Sequence, residues 1–155
     1  MNQSSHFRLT RSTLTVLLSF IFMLGAAVSL SAGESKGGVA FHYITTKADW
    51  DAAMAKAKKE KKPVFVDAYT SWCPPCKALD RNVFSQDEVG DVLNKDFIAV
   101  KVDLEKGYGV DFADKFAIEA FPTLIVLDAS GSEKSRWIGF RQAPQLLEEL
   151  SPFQG

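Results

Sequence analysis

Apolar and polar positions along this chain switch between a helical period and short unbroken apolar runs. Trp50, Ala53, Met54 and Ala57 recur at helical spacing between Thr46 and Pro63, which predicts a helix capped by Thr46 with Asp49 reaching back. Val64 to Tyr69 (VFVDAY) is apolar and β-branched apart from Asp67, so it reads as a buried strand. SWCPPCK (71–77) follows, and Lys77, Ala78, Leu79 and Val83 continue as a helix whose first turn tolerates Pro74 and Pro75. Ser85 with Glu88 predicts a second capping box, opening a helix through Val89, Val92 and Leu93. Phe97 to Asp103 (FIAVKVD) reads as a strand, Tyr108 to Phe116 as a helix, and Thr123 to Asp128 (TLIVLD) as a third strand. A turn at Ala129 to Ser132 leads to a fourth strand, Ser135 to Phe140, and Pro144 starts a closing helix through Leu146, Leu147 and Leu150. This order predicts an α/β fold: a mixed central sheet of about four to five strands with helices on both faces.

The first 32 residues follow a different rule. Arg8 and Arg11 are their only charges, and Leu14 to Leu30 is apolar except for Thr15, Ser19, Gly25 and Ser29. A basic start, an apolar core and small residues up to Gly33 predict a secretory signal peptide over 1–32, or an uncleaved membrane anchor, for which the Leu30 position speaks. Residues 33–47 are then an N-terminal extension and 48–155 one domain outside the cytoplasm. Of the 18 basic residues two fall in the signal, which leaves 16 against 19 acids, a net charge of −3. The run Lys56 to Lys62 is broken by Glu60 and reads as a solvated helix end, so nucleic acid is not an expected partner.

Both cysteines, Cys73 and Cys76, lie between the end of a strand and the start of a helix. Free amide N–H groups and the helix dipole favour a thiolate there. A zinc site needs four ligands, and the chain has two cysteines and two histidines, one of them in the signal. As a structural staple the pair closes too short a loop to gain much. Thiol-disulfide exchange suits the spacing best, since a neighbouring sulfur can resolve a mixed disulfide within one turn.

VFVDAYTSWCPPCK resembles the active-site segment of the thioredoxin superfamily, and AFPT (120–123) resembles its cis-proline loop. More narrowly, 62–89 with FPTLIVLDASG and WIGF is similar to the C-terminal periplasmic domain of the bacterial transmembrane disulfide-bond reductase, from whose usual dipeptide CPPC departs. The resemblance implies a thioredoxin fold, with Cys73 an exposed nucleophile and Cys76 a buried resolving thiol. It makes Asp67 a buried carboxylate that takes and returns the Cys76 proton through water. It makes Pro122 cis, with the Phe121 backbone and Trp72 contacting substrate. Pro74, Pro75 and Lys77 would modulate the pair. Blander readings stand beside these: Asp67 as a strand-end turn residue, Pro122 as a strand-start proline, Trp72 as core. His42 has no assigned role.

No cofactor beyond the Cys73–Cys76 disulfide and no metal is expected. The expected substrates are disulfides of extracytoplasmic proteins, in the bacterial periplasm, and the expected electron source is a separate membrane thiol-disulfide reductase. Two prolines between the sulfurs offer neither charge nor N–H, which favours a reductant. The alternatives are a disulfide oxidase or isomerase, and a non-catalytic thioredoxin-like binding or chaperone module.

Overall fold

The structure, a computed structural model, describes residues 37–155. The segment read as a signal or anchor, 1–32, lies outside the described residues. The elements are β1 (His42–Ile44), α1 (Lys47–Glu60), β2 (Val64–Tyr69), α2 (Pro74–Asn82), α3 (Asp87–Asp96), β3 (Ile98–Asp103), α4 (Gly109–Lys115), β4 (Thr123–Leu127), β5 (Glu133–Ile138) and α5 (Ala143–Leu150), followed by a 3-10 turn. The strands form one sheet in the order β1-β3-β2-β4-β5. β1, β3 and β2 run parallel, while β4 is antiparallel to β2 and β5 antiparallel to β4. This is the expected mixed sheet, with five strands.

Strand alternation sorts the core into two layers. Val64, Val66, Ala68, Val100 and Ile125 face α1 and α4, which contribute Trp50, Ala53, Ala57 and Phe112. The Trp50 and Phe112 rings meet edge to face at 5.0 Å. Phe65, Ala99, Leu124 and Val126 face the other way, against Leu79 of α2, Val89 and Leu93 of α3, and Leu146 and Leu150 of α5. Each fully buried large side chain stabilises the fold by about 1.5–3 kcal/mol.

The box predicted for α1 forms: the Thr46 hydroxyl accepts the Asp49 N–H at 3.2 Å, and Asp49 Oδ2 accepts the Thr46 N–H at 2.7 Å. The Thr45 hydroxyl, the Thr46 N–H and the Thr45 N–H all donate to the Asp49 carboxyl and hold it down at about 2. The box predicted at Ser85 and Glu88 does not form. Ser85 donates its hydroxyl to the Arg81 carbonyl at the end of α2, so α3 opens one residue later than the box predicts, with Gln86 as N-cap and no side-chain cap. β5 runs two residues earlier than expected because Gly139 turns the chain at φ +87°, its N–H returning to Pro122 O at 2.8 Å.

The largest departure is at the N-terminal side. β1 lies inside the stretch read as an extension; three residues are too few for a period-2 pattern to show. The preceding residues are also built in. Val39 N–H donates to Phe84 O at 2.8 Å, Ala40 N–H to Asn94 Oδ1 at 2.8 Å, and Asn94 Nδ2 to Gly38 O at 3.1 Å.

Gly90 is what lets this segment lie on α3, because a Cβ there would stand 2.4 Å from the Gly38 carbonyl oxygen. Two effects therefore oppose each other in Gly90→Ala. Helix propensity favours alanine by about 1 kcal/mol, while overpacking against rigid backbone costs about 1–3 kcal/mol. Urea denaturation is expected to show a net loss of up to about 2 kcal/mol; a more stable variant would mean that residues 38–40 do not rest on α3.

Candidate active site

The redox loop leaves the C-terminal end of β2. Cys73 N–H closes a turn onto Thr70 O at 3.2 Å, and Cys73 then serves as the N-cap of α2 in extended conformation. Pro74 and Pro75 occupy the first helical turn, where a missing N–H leaves no bond unmade. The Cys76 N–H points at Cys73 Sγ at 3.2 Å, and the Lys77 N–H reaches Cys73 O at 3.2 Å. Cys73 and Cys76 are joined by a disulfide.

Cys73 is not exposed as expected. In the disulfide it is 2% accessible and Cys76 1%. The bond occupies one side of its sulfur, and its N–H and C=O are both enclosed in turn and helix bonds. The surface feature is Trp72, 59% accessible, which excludes the core reading for this residue. Its indole N–H donates to Glu105 Oε2 at 2.8 Å, and its ring meets Phe121 edge-on at 6.0 Å. Phe121–Pro122 is a cis peptide bond, as expected. The Trp72–Phe121 contact thus joins the cysteine loop to the cis-proline loop, which the Thr123 hydroxyl ties down by donating to Ala120 O at 2.7 Å. Lys77 is exposed and forms no ion pair among the described residues. His42 sits in β1 at the rim, its Nε2 3.1 Å from Lys56 Nζ, away from the sulfurs.

Asp67 is wholly buried, on the sheet face that α2 covers. Its Oδ2 accepts a hydrogen bond from Lys101 Nζ, while Oδ1 has no partner. Lys101 is the register partner of Asp67 across the parallel β2–β3 ladder and is 4% accessible. The same ammonium donates to Asp80 Oδ1 of α2, whose side chain reaches solvent. It lies over the rings of Tyr69, Phe41 and Phe84 at 4.7, 5.1 and 5.4 Å. Burial pushes the Asp67 carboxyl up to about 6, with Lys101 pulling the other way and Asp80 adding to the rise. Burial pulls the Lys101 ammonium down, but the two carboxylates outweigh it and raise it above its ordinary value.

Sequence reasoning missed Lys101, Asp80, Glu105 and Thr70. A signal existed for Lys101: it is the fourth residue of an apolar strand, as Asp67 is of its neighbour, and a lone cation there needs a buried anion. Glu105, Asp80 and Thr70 leave no such mark. Among the described residues, no group of three side chains is arranged to hold a metal ion.

Residues 45–129 match the family model described as thioredoxin-like. The chain is 34% identical over 133 residues to the thiol:disulfide interchange protein DsbD of Cronobacter sakazakii, covering 83% of this chain and 22% of that one. It therefore spans about a fifth of the length of this relative. The solution structure of a Bacteroides thetaiotaomicron protein provisionally assigned as a disulphide-isomerase is 37% identical, with a TM-score of 0.64 over 74% of this chain and 92% of that one. The oxidised C-terminal domain of Neisseria meningitidis DsbD shares the fold, with a TM-score of 0.62 over 74% of this chain and all of that one at 24% identity. A family model matched over more than half the chain, with the family's redox group present as the chain's own Cys73–Cys76 disulfide, places this protein in the thioredoxin-like family of disulfide oxidoreductases.

Proposed function

We propose that the protein is an exported thiol-disulfide oxidoreductase that reduces disulfides of other extracytoplasmic proteins. The observation that carries this reading is a sulfur pair at a helix N-terminus, tied through Asp80 and Lys101 to a buried carboxylate that titrates near neutrality. In the reduced protein the Cys73 thiolate attacks a substrate disulfide; the substrate S–S bond breaks and a mixed disulfide forms. Cys76 gives its proton to Asp67 through water and attacks the Cys73 sulfur, which releases the substrate dithiol and closes the Cys73–Cys76 bond. Two electrons pass to the substrate; Asp67 returns the Cys76 proton to one departing sulfur, and the second proton comes from solvent because Cys73 enters as the thiolate. Trp72 and Phe121 offer an apolar contact, and the backbone before cis-Pro122 pairs with an extended substrate segment.

The direction rests on the dipeptide. Pro74 and Pro75 add no charge and no donor near Cys73, and Lys77 points to solvent, so the thiolate lacks the stabilisation that makes a strong oxidant. A separate membrane thiol-disulfide reductase supplies the electrons, with the relative named as an interchange protein supporting a partner of that kind. The apolar run in 1–32 acts as a signal or a retained anchor, and the compartment is the bacterial periplasm. The Bacteroides relative favours isomerase action as the second reading.

Equilibration of the full chain with dithiothreitol is expected to give a potential near −270 mV or lower. A value near −120 mV would reverse the proposed flow, and one near −180 mV together with reshuffling of scrambled disulfides would favour the isomerase. Cys73→Ser is expected to abolish insulin reduction, and Cys76→Ser to trap mixed disulfides; a parent protein that leaves insulin unreduced, with partner binding that survives both substitutions, would leave a binding module.

Asp67 also makes stability pH-dependent. Its folded value, about 6, lies above the unfolded 3.8, so below 3.8 it is protonated in both states and has no effect. As pH rises from about 4 to 6 the unfolded chain releases this proton first, and the oxidised fold loses about 3 kcal/mol. Urea midpoints are expected to fall across this window in the parent protein and to fall much less in Asp67→Asn. Parallel pH profiles for the two would show that Asp67 is not held protonated.

A further inference from the structure

Thr70 is fully buried in the turn that carries the cysteines, and its hydroxyl oxygen has no hydrogen-bond partner. Its backbone is used, since Thr70 O accepts the Cys73 N–H at 3.2 Å, while the next two residues, Ser71 and Trp72, are exposed. A buried hydroxyl without a partner is costly, and valine would fill the same volume without that cost. No protein group satisfies this hydroxyl in the disulfide form, and a partner gained in another state of the molecule would offset that cost. Within this turn the sulfurs are the groups whose hydrogen-bonding capacity changes with redox state. A disulfide sulfur is a poor acceptor, whereas a thiolate is a strong one. The first and fourth residues of a turn lie close together, and here they are Thr70 and Cys73. Cys73 Sγ already receives the Cys76 N–H at 3.2 Å.

We propose that Thr70 is a positioning residue of the redox pair: once the disulfide opens, its hydroxyl donates to the Cys73 sulfur, giving the reduced form a hydrogen bond that the oxidised form lacks. The inference rests on Cys73 and Cys76 being a redox pair, but not on the direction in which they pass electrons. Opening by dithiothreitol breaks the Cys73–Cys76 bond, leaves two protein thiols and converts the reagent to its cyclic disulfide, so two electrons and two protons move to the protein. A bond made only in the product pulls this equilibrium toward the reduced protein. It also favours the Cys73 thiolate over the thiol.

The test compares the full chain with Thr70→Val, which removes the hydroxyl, and Thr70→Ser, which keeps it. Thr70→Val is expected to shift the dithiothreitol equilibrium roughly tenfold toward the disulfide, about 30 mV lower in potential, and to move the thiolate absorbance titration to higher pH. Thr70→Ser is expected to stay near the parent in both. Oxidised Thr70→Val should melt at or above the parent temperature and reduced Thr70→Val below it. An unchanged equilibrium constant in Thr70→Val overturns the proposal, as does an equal shift in Thr70→Ser. An oxidised Thr70→Val that is destabilised or unfolded also overturns it, because the hydroxyl would then be working in the disulfide form. Failure of the parent protein to reduce insulin, with its exchange with dithiothreitol intact, would remove the proposed function and leave this inference standing.

Discussion

An aspartate and a lysine can both be buried in an apolar sheet only if they meet, and that condition governs how β2 lies against β3. Asp67 and Lys101 are each the fourth residue of a six-residue strand and pair in register. A slip of one residue would turn either side chain to the opposite face, against α1 and α4, and leave a charge unpaired in hydrocarbon. Such a charge costs several kcal/mol. Three aromatic rings and the Asp80 carboxylate complete the enclosure of the ammonium. A buried ion pair adds little net stability compared with well-packed apolar residues. Its larger effect here is to specify register and to link the sheet to α2.

That register brings the functional loops to one end of the sheet. β2 and β3 are parallel and end together at Tyr69 and Asp103, and the Leu104 N–H extends the ladder onto Tyr69 O at 2.9 Å. The cysteine loop and the loop carrying Glu105 therefore emerge side by side. β4 is antiparallel to β2, with Thr123 opposite Ala68, so its start lies at the same end. Pro122 immediately precedes it. Trp72, Glu105 and Phe121 come from three connections and touch because the strands beneath them end at one level. Ligand sites beyond the carboxyl ends of parallel strands follow the same logic.

What could be read in advance follows the length of each pattern. Asp67 was legible as a carboxylate inside six apolar residues, and the cysteines as a pair where strand gives way to helix. β1 was not legible, because its three residues pair through the backbone and two of them face solvent. The Ser85 box matched the spacing rule, but rules of spacing do not include the end of the previous helix, which captured the hydroxyl first. Glu105 is a polar residue in a polar loop, and its bond to Trp72 depends on tertiary structure alone. The exposure of Cys73 was misjudged because helix position does not report what a disulfide covers.

The charge chain across α2, β3 and β2 also determines which of its members can move a proton. Lys101 is drawn in opposite directions, by burial toward the neutral amine and by two carboxylates toward the ammonium, and the carboxylates win. It thus remains a fixed positive charge throughout the neutral range. Asp67 experiences the same burial with one cation to oppose it, and Asp80 on the far side of that cation weakens the opposition; its carboxyl settles at about 6. Of the two, Asp67 is therefore the group displaced toward neutrality, by burial first and with Lys101 limiting the rise. Placing the second carboxylate on α2, the helix that also carries Cys76, makes the charge balance around Asp67 depend on how that helix sits against the sheet.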